Sequence, residues 1–351
     1  MYEIEQRTMK AAILEQSNAP LIIDEVELPE TLRHGQVLVE VRYTGICGSQ
    51  LGEIRAVKGP DKFLPHLLGH EASGKVLQCG PGVKHVKADD HVVLHWRPGA
   101  GETGEPPKYT WRGKPLNAGW VTTFNQYAIV SENRVTAIPK TFDLKLAPLF
   151  GCALTTGMGV VVNNARIAPG EAVVVFGAGG IGLNVIQGAK LCSAWPIIAV
   201  DLFDNRLELA RELGATHCLN ATRDDVAQAV ADICGAADVC IDNTGNTKVM
   251  AQAYSLLSRD GRLVLVGVPK AGDELSIPTL PLHFGKSIIG SHGGECEPAK
   301  DIPRYIKLYE QGVLDLESYF TKTYALDDIN QALDDLRDGR VSGRCLVDNF
   351  A

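Results

Sequence analysis

The sequence predicts an α/β fold in which a β-rich domain, split along the chain, surrounds a doubly wound parallel sheet. Three observations carry this. The first 155 residues read as short strands punctuated by glycine and proline, and VLVEVRY at 37–43 alternates with period two. From Gly170 onward, buried-strand runs alternate with helical stretches of about 10–15 residues, which is the pattern of βαβ units in a parallel sheet. After Gly290 the texture returns to mixed structure, where DIPRYIKLYEQG and LDDINQALDDLRDG are spaced as amphipathic helices. The 351 residues suit two or three domains. The expected division is 1–155 plus 295–351 as one domain, and 156–294 as the other.

In order along the chain, strands are expected at Val37–Tyr43, around Val76, at Val83–Val86 and at Val92–Leu94, with turn signals such as Gly80-Pro81-Gly82 between them. AVVVFG (172–177) is a buried-strand run, followed by a glycine-rich turn and a helix to about Ser193. PIIAVD (196–201) is the next strand, and a helix near Asn205–Leu213 is closed by Gly214. A short strand around Cys218, a helix near Asp224–Cys234, and the strands VCID (239–242) and RLVLVGV (262–268) complete the pattern. Arg97–Val121, rich in glycine and proline, is the one long stretch without a period, and such stretches are usually functional or form an interface.

A composition of 45% apolar and 22% charged residues is that of an ordinary globular protein. The net charge of −8 leaves no basic footprint for nucleic acid or anionic lipid, so neither is an expected partner. No apolar run reaches the roughly 18 residues of a membrane span, and MYEIEQRTMK lacks the apolar core of a secretion signal. Nine scattered cysteines with no CxxC pair argue against a disulfide framework and for a reducing, cytoplasmic compartment.

Gly177, Gly179 and Gly182 form a GxGxxG run that follows a buried strand and opens a helix, the context a dinucleotide fingerprint requires. Gly177 permits the tight turn, Gly179 lets the backbone approach a pyrophosphate, and Gly182 lets helix and strand pack closely. The helix N-terminus supplies amide donors and a positive dipole end. The next strand ends in Asp201, placed to accept from the adenine ribose hydroxyls and to repel a 2′-phosphate, so NAD is expected over NADP. Gly180, Ile181, Arg206, Thr156 and Thr244 complete the candidate cofactor contacts, with Arg206 able to salvage some NADP binding.

Cys47 in GICGSQ, His70 with Glu71 in LLGHE, and Cys152 in FGCALTTGMG stand out as candidate ligands, although a lone cysteine is usually a small core residue and a lone histidine more often hydrogen-bonded than metallated. Together with VVVFGAGGIG, the strand-end Asp201 and the closing GSHGG…IPRYIKLYEQGVL…INQALDDLRDGR, these motifs resemble the zinc-dependent medium-chain alcohol dehydrogenase family along essentially the whole chain. The resemblance implies a GroES-like catalytic domain split around a Rossmann domain, with the active site in the cleft between them and a catalytic zinc on Cys47, His70 and Cys152. Two thiolates and an imidazole suit Zn²⁺, and three protein ligands leave a fourth position for water or a substrate oxygen. Thr156 matches the family position near the nicotinamide. Glu71 either tunes or transiently ligates the zinc, or supports its neighbour structurally. The implied reaction is hydride transfer between an alcohol and NAD, giving an aldehyde or ketone. An aldehyde-oxidising, dismutating or reductase member, and a non-catalytic NAD-binding protein, stay open.

The chain also departs from the family. It has no cysteine between Cys79 and Cys152, so the four-cysteine structural zinc is expected to be absent, leaving one zinc per chain. Ser49 matches the first group of a proton relay, but Gly52 stands where some members carry the relay histidine, and Gln50 stands where many carry an aspartate that orients the metal histidine. His95, Trp96 and Arg97 occupy the stretch that lines the substrate cleft in relatives. With Lys108, Arg112 and Lys114 they suggest a polyol or sugar-derived substrate; the alternative is a solvated loop face. Trp96 and Trp120 read either as stacking platforms or as loop anchors. Relatives assemble as dimers or tetramers, and an edge strand near Ser287–Ser291 is the expected pairing element.

Overall fold

The computed structural model describes residues 3–351, and the chain divides into two compact units. The first comprises residues up to Cys152, Glu297–Arg340 and Arg344–Ala351; the second comprises Ala153–Cys296 with Val341–Gly343. The chain therefore crosses between units at 152/153 and 296/297 rather than at the expected 155/156 and 294/295, and residues 341–343 belong to the second unit rather than the first.

The first unit holds two sheets. The larger is centred on the strand Gln36–Ile46, which pairs antiparallel with Glu71–Cys79, Tyr127–Ser131 and Cys345–Asp348. Alternate residues Val37, Val39 and Val41 bury against Ala72, Val76, Val92 and Leu94, the physical content of the period-two pattern. Register decides what gathers at one end of this sheet. Thr44 lies opposite Ala72, Ile46 opposite Cys345, and Glu71 opposite His95. Cys47, His70 and Arg344 are each one residue beyond those pairs, so residues distant in sequence emerge at the same edge.

Two expectations for this unit are corrected. Val83–Val86 is not a strand: Val86 is buried as an anchor of the core, while the backbone N–H groups of Lys84 and His85 donate to the Glu132 carboxylate rather than to a neighbouring strand. The Arg97–Val121 stretch is not patternless throughout, because Tyr109–Trp111 and Lys114–Leu116 pair as a hairpin that extends the smaller sheet. Tyr109 and Trp111 are buried there; the Tyr109 hydroxyl accepts from Ile129 N–H, and Trp111 Nε1 donates to Asp24. Three-residue strands are too short for periodicity to reveal. Glu132 fixes the start of the stretch by also accepting from Glu102 N–H. Burial acts to raise its pKa, but these three donors hold it below the usual carboxylate value.

The second unit is a six-stranded parallel sheet in the order His217–Asn220, Ile197–Asp201, Val173–Phe176, Ala237–Asp242, Leu257–Leu265, Ser287–Gly290. The chain starts in the middle, winds outward to one edge and then to the other, which is the doubly wound order. Val174, Phe176, Ile198, Val200, Cys240 and Leu263 form its core with Val226, Val230 and Tyr254 from the covering helices. Among the described residues no helix is long and apolar enough to cross a membrane.

Candidate metal centre and nucleotide turn

Cys47 leaves the strand Gln36–Ile46 in an extended conformation and caps the helix Gly48–Ile54. His70 lies just after Gly69, in the turn before Glu71–Cys79. Cys152 follows the 3₁₀ turn Ala147–Gly151 and precedes the helix Ala153–Gly159. That turn must press hard on the sheet: a Cβ on Gly151 would collide with Leu94 O and lie 2.8 Å from Glu71 Cα. The result is that the two sulfurs and a ring nitrogen of His70 all lie within 4.8 Å of one another.

The surroundings hold this cluster in place. Gln50, fully buried, accepts from Cys47 N–H through Oε1 at 2.9 Å and sets its Nε2 2.5 Å from His70 Nδ1. His70 Nε2 is buried with no hydrogen-bond partner, the nitrogen left for a metal. Glu71 is engaged by Arg344, Nε to Oε1 at 3.0 Å and Nη2 to Oε2 at 3.3 Å, with both side chains under 5% exposed. The Glu71 carboxylate is thus turned to the guanidinium, and Glu71 is not among the three residues whose donor atoms gather within 4.8 Å. The Arg344 signal was not readable locally: it sits in SGRCLVDNF, far along the chain from Glu71.

The electrostatics fit a metal-binding donor set. A hydrogen bond from Cys152, with help from the Arg344 and His70 charges, holds the Cys47 thiol well below its ordinary range against the effect of burial. Cys152 is pushed well up by its bond to Cys47 and by burial. Burial acts to lower His70, but the adjoining Cys47 thiolate carries it upward. The cluster thus keeps protons where a cation with two thiolates and a neutral imidazole would release them.

The other sequence-predicted residues fall as follows. Ser49 is exposed in the first turn of the helix after Cys47. His95 is corrected as a substrate-facing group: it is 1% exposed, with Nδ1 bonded to Arg97 O and Nε2 to Thr136 Oγ1. Burial pushes its pKa down to about 4, so the ring is neutral. Trp96 and Trp120 each carry a guanidinium over the ring, from Arg97 at 5.8 Å and Arg134 at 5.5 Å, and Arg112 pairs with Asp24 at 2.8 Å.

In the second unit the glycine turn has the geometry its motif requires. Gly177 adopts φ +86°, and a Cβ on Gly182 would run into Gly177 O. Gly179 faces open space, with nothing within 4 Å of its Cβ position, and begins the helix Gly180–Leu191 whose first residues include Ile181. Asp201 Oδ2 accepts from Ala178 N–H at 2.7 Å, and Oδ1 accepts from Leu202 and Phe203 N–H. Arg206 lies 3.8 Å from Asp201 and over the Phe203 ring. Thr156 Oγ1 is buried with no hydrogen-bond partner, whereas Thr244 donates to Asp242 and closes the turn after that strand.

The split β-rich unit with a buried Cys/His/Cys cluster, and a doubly wound sheet with a dinucleotide turn, define a zinc-type alcohol dehydrogenase architecture. Comparison with known proteins agrees. The family model described as alcohol dehydrogenase GroES-like domain matches residues 33–140, and the one described as zinc-binding dehydrogenase matches 180–311. The S-(hydroxymethyl)glutathione dehydrogenase of Paracoccus denitrificans is 33% identical over 93% of this chain and 96% of its own length. The class-3 alcohol dehydrogenase of Cereibacter sphaeroides is 34% identical over the same shares. Among solved structures, an alcohol dehydrogenase zinc-binding domain protein from Burkholderia ambifaria matches with TM-score 0.89 at 31% identity, covering 97% of this chain and 99% of that one. Benzyl alcohol dehydrogenase from Acinetobacter calcoaceticus matches with TM-score 0.88 at 28% identity, covering 98% and 99%. The chain belongs to the zinc-dependent medium-chain alcohol dehydrogenase family and is an oxidoreductase.

Proposed function

We propose that this chain oxidises an alcohol to an aldehyde or ketone with NAD, holding a single zinc between Cys47, His70 and Cys152. The observation that carries the proposal is the buried cluster of two sulfurs and a ring nitrogen within 4.8 Å of one another. Such a donor set suits Zn²⁺ and leaves one coordination position open. When bound, zinc supplies Lewis acidity at a substrate oxygen, and NAD supplies the hydride acceptor.

The chain's own residues do the rest. Gln50 fixes the His70 ring, and the Glu71–Arg344 pair holds a fixed charge beside the ligands. Ser49, two residues past Cys47 and solvent-exposed, takes the substrate proton; Gly52 provides no side chain for the next step, so water carries it away. The N–H groups of the Gly177–Gly182 turn bind the pyrophosphate, and Asp201 accepts the ribose hydroxyls. Asp201 opposes a 2′-phosphate, and Arg206 leans on that same carboxylate, which favours NAD over NADP. Thr156 keeps its unpartnered hydroxyl for the nicotinamide side. Two copies would pair through the edge strand Ser287–Gly290 as a homodimer or within a homotetramer, and the reducing cytoplasm is the compartment that nine free thiols suit.

With His95 buried and Arg112 paired to Asp24, the case for a polyol or sugar-derived substrate rests on Arg97, Trp96, Lys108 and Lys114. The identity to S-(hydroxymethyl)glutathione dehydrogenases favours a second reading, a hydroxymethyl thiol adduct. The test is NADH and NADPH formation by zinc-loaded protein on simple alcohols, benzyl alcohol, polyols, S-(hydroxymethyl)glutathione and aldehydes. Turnover of an alcohol with NAD preferred is the expected result. Oxidation of aldehydes alone would move the protein to the aldehyde-oxidising class, and no turnover on any arm would leave a non-catalytic NAD-binding protein.

A further inference from the structure

The buried carboxamide of Gln50 lies between the Cys47 backbone N–H and His70 Nδ1. It accepts from Cys47 N–H at 2.9 Å, and its NH₂ group lies 2.5 Å from His70 Nδ1. That arrangement is complementary only while Nδ1 is an acceptor, with the ring proton on Nε2. A metal on Nε2 requires the lone pair there and moves the proton to Nδ1, which then points at an amide that also donates. Turning the carboxamide over relieves His70 but sets the NH₂ against Cys47 N–H, so in either orientation one buried donor is left facing another. A carboxylate of the same shape would accept from both. Gln50 is fully buried and contacts both ligand residues.

We propose that Gln50 is the positioning residue that sets how tightly this site holds its metal: its single oxygen leaves one N–H unsatisfied in the loaded state and makes metal retention weaker than a carboxylate there would. Loading turns the amide so that its oxygen serves His70 Nδ1–H, the stronger donor once the ring is metal-bound, and Cys47 N–H loses its acceptor. The proposal rests on the assignment of Cys47, His70 and Cys152 as ligands.

The experiment is zinc competition against a chromophoric chelator at fixed pH for wild type, Gln50→Glu, Gln50→Leu and Cys47→Ser, with the Cys47 backbone amide followed by NMR in wild type with and without zinc. Gln50→Glu is expected to bind zinc about 10–100-fold more tightly, and Gln50→Leu more weakly than wild type. The Cys47 amide proton is expected to move upfield on loading, a readout that a general effect of the added negative charge would not produce and that needs no variant to fold. Zinc affinity in Gln50→Glu equal to or below wild type, or a Cys47 amide unmoved by zinc, would overturn the proposal. Zinc binding that survives Cys47→Ser, or no binding at all, would instead overturn the ligand assignment on which it rests.

Discussion

The nucleotide turn and the metal cluster solve opposite packing problems. At the turn, the geometry depends on side chains that are missing: Gly177 adopts a left-handed φ, Gly182 lies against Gly177 O, and Gly179 faces open space. At the cluster, the geometry depends on side chains that are present and mutually compensated: two thiols, an imidazole, a carboxamide and a buried Arg344–Glu71 pair. The first is therefore damaged by adding atoms and the second by removing them. Each variant below asks whether that contrast holds.

The largest expected effect on stability comes from Arg344→Met. It strands the Glu71 carboxylate, which is 1% exposed, so the fold should lose about 3–5 kcal/mol, read from urea denaturation at pH 7. A loss under about 1 kcal/mol would mean that the pair is not what holds this edge of the sheet together. Next is the turn. Gly182→Ala should cost about 1–3 kcal/mol because its methyl meets backbone, whereas Gly179→Ala should leave stability unchanged yet weaken NAD binding by tenfold or more, a shift of about 1.4 kcal/mol read by fluorescence titration. Equal stability losses at the two positions would erase the distinction between space for packing and space for ligand.

These two regions were also unequally legible from sequence, and the reason is physical. The turn is contiguous, and strand, glycines, helix and Asp201 follow one another within 30 residues, so local chemistry announces it. The sheet order around it follows from the same alternation of strands and helices. The metal cluster is assembled by register, and Cys47, His70 and Cys152 were separable from ordinary core residues only through their resemblance to a family. Arg344 was missed because nothing near it signals that Cys345 pairs with Ile46. His95 was misread because its neighbours Arg97 and Trp96 suggested a polar wall. In fact the strand His91–His95 turns the ring inward onto Thr136. The hairpin within Arg97–Val121 was hidden by its brevity, and Val83–Val86 was mistaken for a strand because a turn can also bury valines.

His95 supplies a smaller prediction on the side of compensated side chains. Its native pKa of about 4 lies below the ordinary value of 6.5, so the unfolded chain binds the proton first as pH falls. Stability is unaffected above about pH 6.5, declines from there to about pH 4, and the total loss is about 3 kcal/mol. His95→Phe should remove that slope, so that the stability difference between wild type and variant changes by most of this amount between pH 7 and about pH 4.5. Parallel pH profiles would mean that the ring is accessible to protons in the folded state, restoring it as a group able to meet substrate.

The most direct test of the account is the zinc content and alcohol-dependent NADH formation of wild type beside Cys47→Ser, after gel filtration of zinc-loaded protein. The account predicts one zinc per chain and turnover in wild type, with both lost in Cys47→Ser while NAD still binds. A Cys47→Ser protein that keeps its zinc and its turnover would contradict the assignment of the buried Cys47, His70 and Cys152 cluster as the catalytic centre.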